Sequence, residues 1–267
     1  MDPHQFEVLR KFESTFHVDV WKWIVEKVES GLQTADELHI LDLSEEPSIF
    51  SLLLAEKYKP KRLVCAVREA VAPSSEQQNL FPSLEMKKVS LGEGANYEDL
   101  RQLGKFDIVI LKEVTHEIGS MRSFLGALKD VMKERTQVFL LVRPKNPPLP
   151  IPDVAMAVWR KLAPAKEDII NDIRKADFKL TCYTASIPVR ISRDEWWEIL
   201  KCGSIPAIRH CPKCSPKEVR DFVNTRSNVM NFEEKLLIFL FRLKREGETD
   251  ELEDPLASNN SGGGSAN

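Results

Sequence analysis

The sequence predicts an α/β fold, one mainly parallel sheet with helices on both faces, and three observations predict it. Short apolar runs of strand length alternate with helical stretches five times through residues 38–142, the pattern of a sheet layered between helices. Residues 106–111, Phe-Asp-Ile-Val-Ile-Leu, form a near-continuous apolar run that needs cover on both faces, as parallel strands do. Residues 38–50 read as a strand, a polar turn and the start of a helix that runs to about Tyr58, and residues 62–67 return as a second strand. Such a strand–helix–strand unit has a right-handed crossover as its default.

Residues 18–32 place Val18, Trp21, Ile24, Val25, Val28 and Leu32 on one helical face, leading into the first strand. After the second strand, 73–79 is polar and reads as a short helix or loop. Residues 86–91 are a third strand, closed by the turn Gly92-Glu93-Gly94, and 97–103 a helical turn. Strand 106–111 is followed by a helix over 123–132 and a fifth strand over 137–142. The stretch 144–152 holds Pro144, Pro147, Pro148, Pro150 and Pro152; proline excludes helix interior, so this is an extended connection. Helices follow at 154–162 and 167–176, then a sixth strand at 178–189. Ser192-Arg193-Asp194-Glu195 and Ser215-Pro216-Lys217-Glu218 both have capping-box spacing, the second with proline at the first helical position. The last strand is 236–241. Residues 1–245 are thus expected to form one domain. Residues 246–267, acidic and then rich in Ser, Asn and Gly, hold too little apolar surface to fold and are expected to be a disordered tail.

Composition removes several function classes. The 267 residues are 42% apolar and carry a formal net charge of −3, which argues against a general electrostatic grip on nucleic acid. No apolar run approaches the roughly 18 residues of a membrane span. Met1-Asp2-Pro3-His4-Gln5 opens no basic-then-apolar leader, and five cysteines do not suggest a disulfide scaffold. A cytoplasmic protein is expected.

The chain resembles the class I S-adenosylmethionine-dependent methyltransferases over about residues 18–243. The segment that carries most of the resemblance is 106–118, Phe-Asp-Ile-Val-Ile-Leu-Lys-Glu-Val-Thr-His-Glu-Ile, similar to the family's fourth strand and the histidine-containing stretch after it. Residues 128–142 resemble the next helix and the fifth strand. Trp196-Trp197, the capped helix from Ser215 and the late apolar strand resemble the C-terminal part of the small-molecule branch. The resemblance implies a seven-stranded Rossmann-like sheet with the last strand antiparallel beside the fifth. It also implies S-adenosylmethionine held by Asp42, Leu43 and Ser44 at the end of the first strand, by Glu69 after the second, by Glu93 in the third loop and by Lys112 at the end of the fourth. His116 would be a general base, with Glu113, Trp159 and Trp196 lining a substrate pocket.

The departures from the family are specific. Its glycine positions after Asp42 hold Ser44, Glu46 and Ser48, where a missing Cβ would let backbone approach the cofactor. Arg68 stands where the family has the ribose-binding acid, with Glu69 one residue later. Each candidate also has a plainer reading: Asp42 as a turn cap, Glu69 as a solvated helix-start carboxylate, Lys112 and Glu113 as an ion pair, the tryptophans as core and His116 as a packing residue. Cys202, His210, Cys211 and Cys214 suggest zinc through Cys-x-x-Cys, but the second half-site is poor; a loop ending at the Ser215 cap is preferred and no metal is expected. Two functions therefore stand. One is a methyltransferase acting on a small molecule. The other is a degenerate fold, its cofactor lost, that binds a protein partner or another ligand.

Overall fold

The computed structural model describes residues 3–31, 37–44, 48–67, 75–245 and 247–248. Its strands are β1 (His39–Asp42), β2 (Arg62–Val67), β3 (Leu84–Lys88), β4 (Phe106–Lys112), β5 (Met132–Val142), β6 (Phe178–Ser192) and β7 (Val229–Leu243). They form a seven-stranded sheet in the order β3-β2-β1-β4-β5-β7-β6. The first five pair in parallel. β7 lies antiparallel between β5 and β6, as the resemblance implied.

The helices are α1 (Pro3–Phe16), α2 (Val18–Gly31), α3 (Ile49–Tyr58), α4 (Ser75–Leu80), α5 (Glu98–Arg101), α6 (Met121–Asp130), α7 (Asp153–Leu162), α8 (Lys166–Lys175), α9 (Arg193–Lys201), α10 (Pro206–Arg209) and α11 (Pro216–Asn224). Side chains alternate across the strands. Ile40, Ile108, Ile110, Phe139 and Leu141 pack toward α1, α2, α3, α7 and α9. Leu41, Val109, Leu111, Val138 and Leu140 pack toward α5, α6 and α8 on the other face. Both capping boxes form, with Ser192 and Ser215 each accepting from the backbone N–H three residues on.

Several boundaries move. The third strand begins two residues before its expected start, at Leu84. Met132, expected to end a helix, instead opens β5, because Lys129 and Asp130 finish α6. β6 and β7 run far beyond their apolar centres because they pair with each other without interruption from Phe178↔Leu243 to Ser192↔Val229. α1 was not anticipated. Its apolar residues Leu9 and Phe12 are buried, and Phe12 meets Trp196 at a ring distance of 6.3 Å. No helix among the described residues is long and apolar enough to cross a membrane. Residues 249–267, most of the expected tail, lie outside the described residues; Glu248 is engaged by the Arg242 guanidinium at 2.6 and 2.7 Å.

Candidate functional site

Ligands of open parallel sheets bind at the carboxyl ends of the strands, and here those ends carry two arrangements. The first is a cavity of about 200 Å³ lined by Leu43 and Ser44 after β1, Ala66 in β2, residues 89–92 after β3, and Val114 and Glu117 after β4. It is below the ~300–1,000 Å³ usual for ligand pockets. The turns at 45–47 and 68–74 lie outside the described residues, and with them Glu46, Arg68 and the expected ribose ligand Glu69. One wall depends on Gly119. A Cβ there would lie 2.6 Å from the Glu93 Cα, so only glycine lets the segment after β4 press against the turn after β3. Glu93 itself is exposed on that turn and is not part of the cavity wall.

Asp42 is buried and its carboxylate is consumed by its own turn. Oδ1 accepts from the Ser44 N–H at 2.9 Å, and Oδ2 accepts from the Ser48 N–H at 2.6 Å and the Ser51 hydroxyl at 2.5 Å. Burial pushes its pKa above the ordinary value, against those hydrogen bonds. Asp42 thus caps its own turn. Ser48 is the N-cap of α3 and accepts from Phe50 N–H at 3.2 Å. Ser44 ties two strand ends together, its hydroxyl accepting from the Lys112 N–H at 3.0 Å.

The second arrangement is a buried ionic network at the ends of β4 and β5. Lys112 Nζ contacts Glu13 of α1. Glu13 reaches His17 Nδ1 at 3.2 Å, and His17 Nε2 lies 2.9 Å from Glu234. Glu234 accepts from Arg143 Nε at 2.9 Å and Nη2 at 2.6 Å. Arg143 in turn donates from its backbone N–H to Glu113 at 2.8 Å and pairs with it through Nη1 at 3.2 Å. Glu113 holds a left-handed φ of 54°, a conformation costing about 1–3 kcal/mol outside glycine and held here by these contacts. Burial pushes the Glu113 carboxyl up and draws the Lys112 ammonium down. Burial also opposes the charge on Glu234, but Arg143 and His17 outweigh it and hold that carboxyl well below its ordinary value.

The structure therefore corrects several expectations. Lys112 faces Glu13, and Glu113 faces Arg143, so neither lines the cavity. Trp159 and Trp196 are core residues, 2% and 0% exposed, with their indole N–H groups donating to Pro144 O and Pro150 O; the proline-rich connection supplies those acceptors. Trp197 is partly buried under the Arg220 guanidinium. His116 packs edge-on against Trp159 with ring centroids 5.5 Å apart. Its Nε2 lies 3.0 Å from His210 Nε2 and 3.4 Å from Glu117 Oε1. His210 was grouped by sequence with Cys211 and Cys214, but those two are joined by a disulfide and His210 meets the turn after β4 instead. Glu13, His17, Arg143 and Glu234 were missed. A signal existed for Glu234, which falls on the buried face of β7 with Leu236 and Ile238. Glu13 and His17 are four residues apart and pair with each other, but their other partners, Lys112 and Glu234, are 99 and 217 residues away, and no signal marked them.

No family model matches the chain and no curated protein matches it. Among solved structures, it is similar to a putative sarcosine dimethylglycine methyltransferase from Galdieria sulphuraria, with TM-score 0.50 and 11% identity over 85% of this chain and 86% of that one. It is also similar to the cyclase SpnF, with TM-score 0.51 and 11% identity over 82% of this chain and 80% of that one. With the strand order, the antiparallel β7 and the cavity at the carboxyl ends of β1–β4, this chain has the Rossmann-like fold of the class I S-adenosylmethionine-dependent methyltransferases.

Proposed function

We propose that the chain is a degenerate member of the S-adenosylmethionine-dependent methyltransferase family, a binding module in which the cofactor cavity persists in outline and methyl transfer has been lost. The observation that carries this reading is the commitment of the polar groups at the strand ends. Asp42 is spent on its own turn, and Lys112, Glu113 and Arg143 are locked into a buried network with Glu13, His17 and Glu234. A group that must leave a buried ion pair to meet a ligand abandons a charge in a low-dielectric interior, at about 3–5 kcal/mol. The substitutions Ser44, Glu46 and Ser48 at the glycine positions support the same reading. By the resemblance, Glu46 would add a negative charge near the cofactor carboxylate, and two like charges about 4 Å apart cost roughly 4 kcal/mol at a surface dielectric near 20.

A second reading, a methyltransferase acting on a small molecule, is favoured by the cavity itself, since methyl transfer needs mainly an aligned nucleophile. Titration calorimetry with S-adenosylmethionine and S-adenosylhomocysteine separates the two. The expected result is no heat, or millimolar affinity, with no S-adenosylhomocysteine released during incubation with small-molecule acceptors. Micromolar binding accompanied by turnover would overturn the degenerate reading.

A further inference from the structure

His116 and Glu117 are neighbours on the turn after β4, set by the Glu117 N–H donating to Val114 O at 2.9 Å. His210 caps the C-terminus of α10, 94 residues from His116. The fold brings one atom of each into a small triangle: His116 Nε2 to His210 Nε2 at 3.0 Å, His210 Nε2 to Glu117 Oε1 at 3.2 Å, and His116 Nε2 to Glu117 Oε1 at 3.4 Å. Their side chains are 1%, 26% and 13% exposed for His116, His210 and Glu117 respectively.

We propose that these three residues bind one divalent transition-metal ion, of the zinc or iron(II) kind. Two imidazoles and one carboxylate on adjoining corners are the donor set of open catalytic zinc sites and of iron(II) facial triads. The dimensions agree. Bonds of about 2.05 Å at tetrahedral angles hold donor atoms ~3.3 Å apart, and at octahedral angles ~2.9 Å apart, so the observed sides of 3.0, 3.2 and 3.4 Å lie within or close to that interval. An ion about 2.05 Å from all three atoms sits ~0.9 Å off their plane, a position open on one side.

The ring geometry fits an ion better than a straight hydrogen bond, though a bent one also reaches it. A straight Nε2–H···Nε2 bond of the observed 3.0 Å would place the two imidazole centroids about 5.3 Å apart. Two imidazoles meeting on one ion at ~2.05 Å, with their nitrogens 3.0 Å apart, have centroids about 4.7 Å apart, and the observed separation is 4.8 Å. Trp159 holds the His116 ring from the side, and the adjacent thiols are occupied with each other. Glu117 also lines the strand-end cavity, so the site adjoins it, and an oxygen or nitrogen donor of a small ligand would complete the shell. This site does not depend on whether S-adenosylmethionine binds.

The test uses the full chain, stripped with chelator and titrated with Co(II) as a spectroscopic probe, followed by Zn(II) competition. One ion per chain is expected, with a visible d–d band, no thiolate charge-transfer band, and a melting temperature that rises with metal concentration. Glu117→Gln and His210→Ala, both on partly exposed side chains, should each weaken binding about a hundredfold or more, while Cys211→Ser/Cys214→Ser leaves it unchanged. The Co(II)-loaded wild-type protein should show two hyperfine-shifted imidazole N–H protons, a readout that requires no variant to fold. Fewer than one ion per chain, a thiolate band that vanishes in the cysteine variant, or shifted protons from fewer than two imidazoles would overturn the proposal.

Discussion

Replacing Glu234 with leucine tests the buried network directly. The substitution keeps an apolar neighbour for Leu236 and Ile238 but leaves Arg143 Nε, Arg143 Nη2 and His17 Nε2 without the acceptor they hold at 2.6–2.9 Å. Arg143 would then be a buried guanidinium with Glu113 as its remaining carboxylate among these contacts. Breaking one side of a buried ion pair costs about 3–5 kcal/mol, which for a domain of this size lowers the melting temperature by about 6–20 °C. Urea denaturation followed by tryptophan fluorescence measures it, with Trp196 packed on Phe232 as a native reporter. The reasoning also fixes the sign of a double variant. Glu234→Leu with Arg143→Met removes the stranded charge, so it should be more stable than Glu234→Leu alone. The pH dependence has a set direction as well. A carboxyl held below its ordinary value stabilises the fold above that value, and the contribution is lost as pH falls; the gap between wild type and Glu234→Leu should therefore narrow on acidification below about pH 4.5. A single-variant loss under roughly 1 kcal/mol, or a double variant less stable than Glu234→Leu, would refute the view that these charges are buried and mutually dependent.

Three other outcomes follow from the same contacts. Asp42→Ala should cost about 2–6 kcal/mol, because the Ser44 and Ser48 N–H groups lose their acceptor and each unsatisfied buried donor costs about 1–3 kcal/mol; chemical denaturation measures it, and a near-neutral result would show that the turn is closed by other contacts. Ser192→Ala removes a capping box and should cost about 1 kcal/mol, read as a melting shift of about 2–4 °C. The Glu195 carboxyl of that box is lowered to about 2 by Lys11 and then by Ser192, so its contribution is present at neutral pH and fades as pH falls toward that value. Truncation after Glu248 should leave the melting temperature unchanged, since the Arg242–Glu248 contact is kept; a drop of about 2–4 °C, the mark of roughly 1 kcal/mol, would show that residues 249–267 add to the fold.

Most of the architecture was legible because it rests on local patterns. β2 after Arg62 and the centre of β5 are uninterrupted apolar runs and β1 and β4 are mainly apolar, and α9 and α11 announce themselves through Ser-x-x-Glu caps. What was not legible depends on partners distant in sequence. The first half of β7, residues 229–235, is largely polar and is a strand because β6 supplies its hydrogen bonds. α1 carries its apolar residues against Trp196 of α9, a surface that exists only after folding. The same limit applies to the site. His116 and Glu117 are adjacent in sequence, but nothing near them points to His210.

Asp42 shows how a strand-end acid can be held in place by the fold alone. A carboxylate at the end of β1 lies under α3, where burial penalises its charge, and an ionised group there is tolerable only when fully hydrogen-bonded. Ser44, Ser48 and Ser51 provide that hydrogen bonding from within the same turn. Once they do, the acid is retained by the cost of leaving their donors unpaired, with no ligand needed to explain it. On the degenerate reading proposed above, the glycines of the resembled family would have no such tie, and a serine that caps α3 is the better helix start. The buried pairing of Lys112, Glu113 and Arg143 at the neighbouring strand ends follows the same logic, each charge being held by partners within the fold.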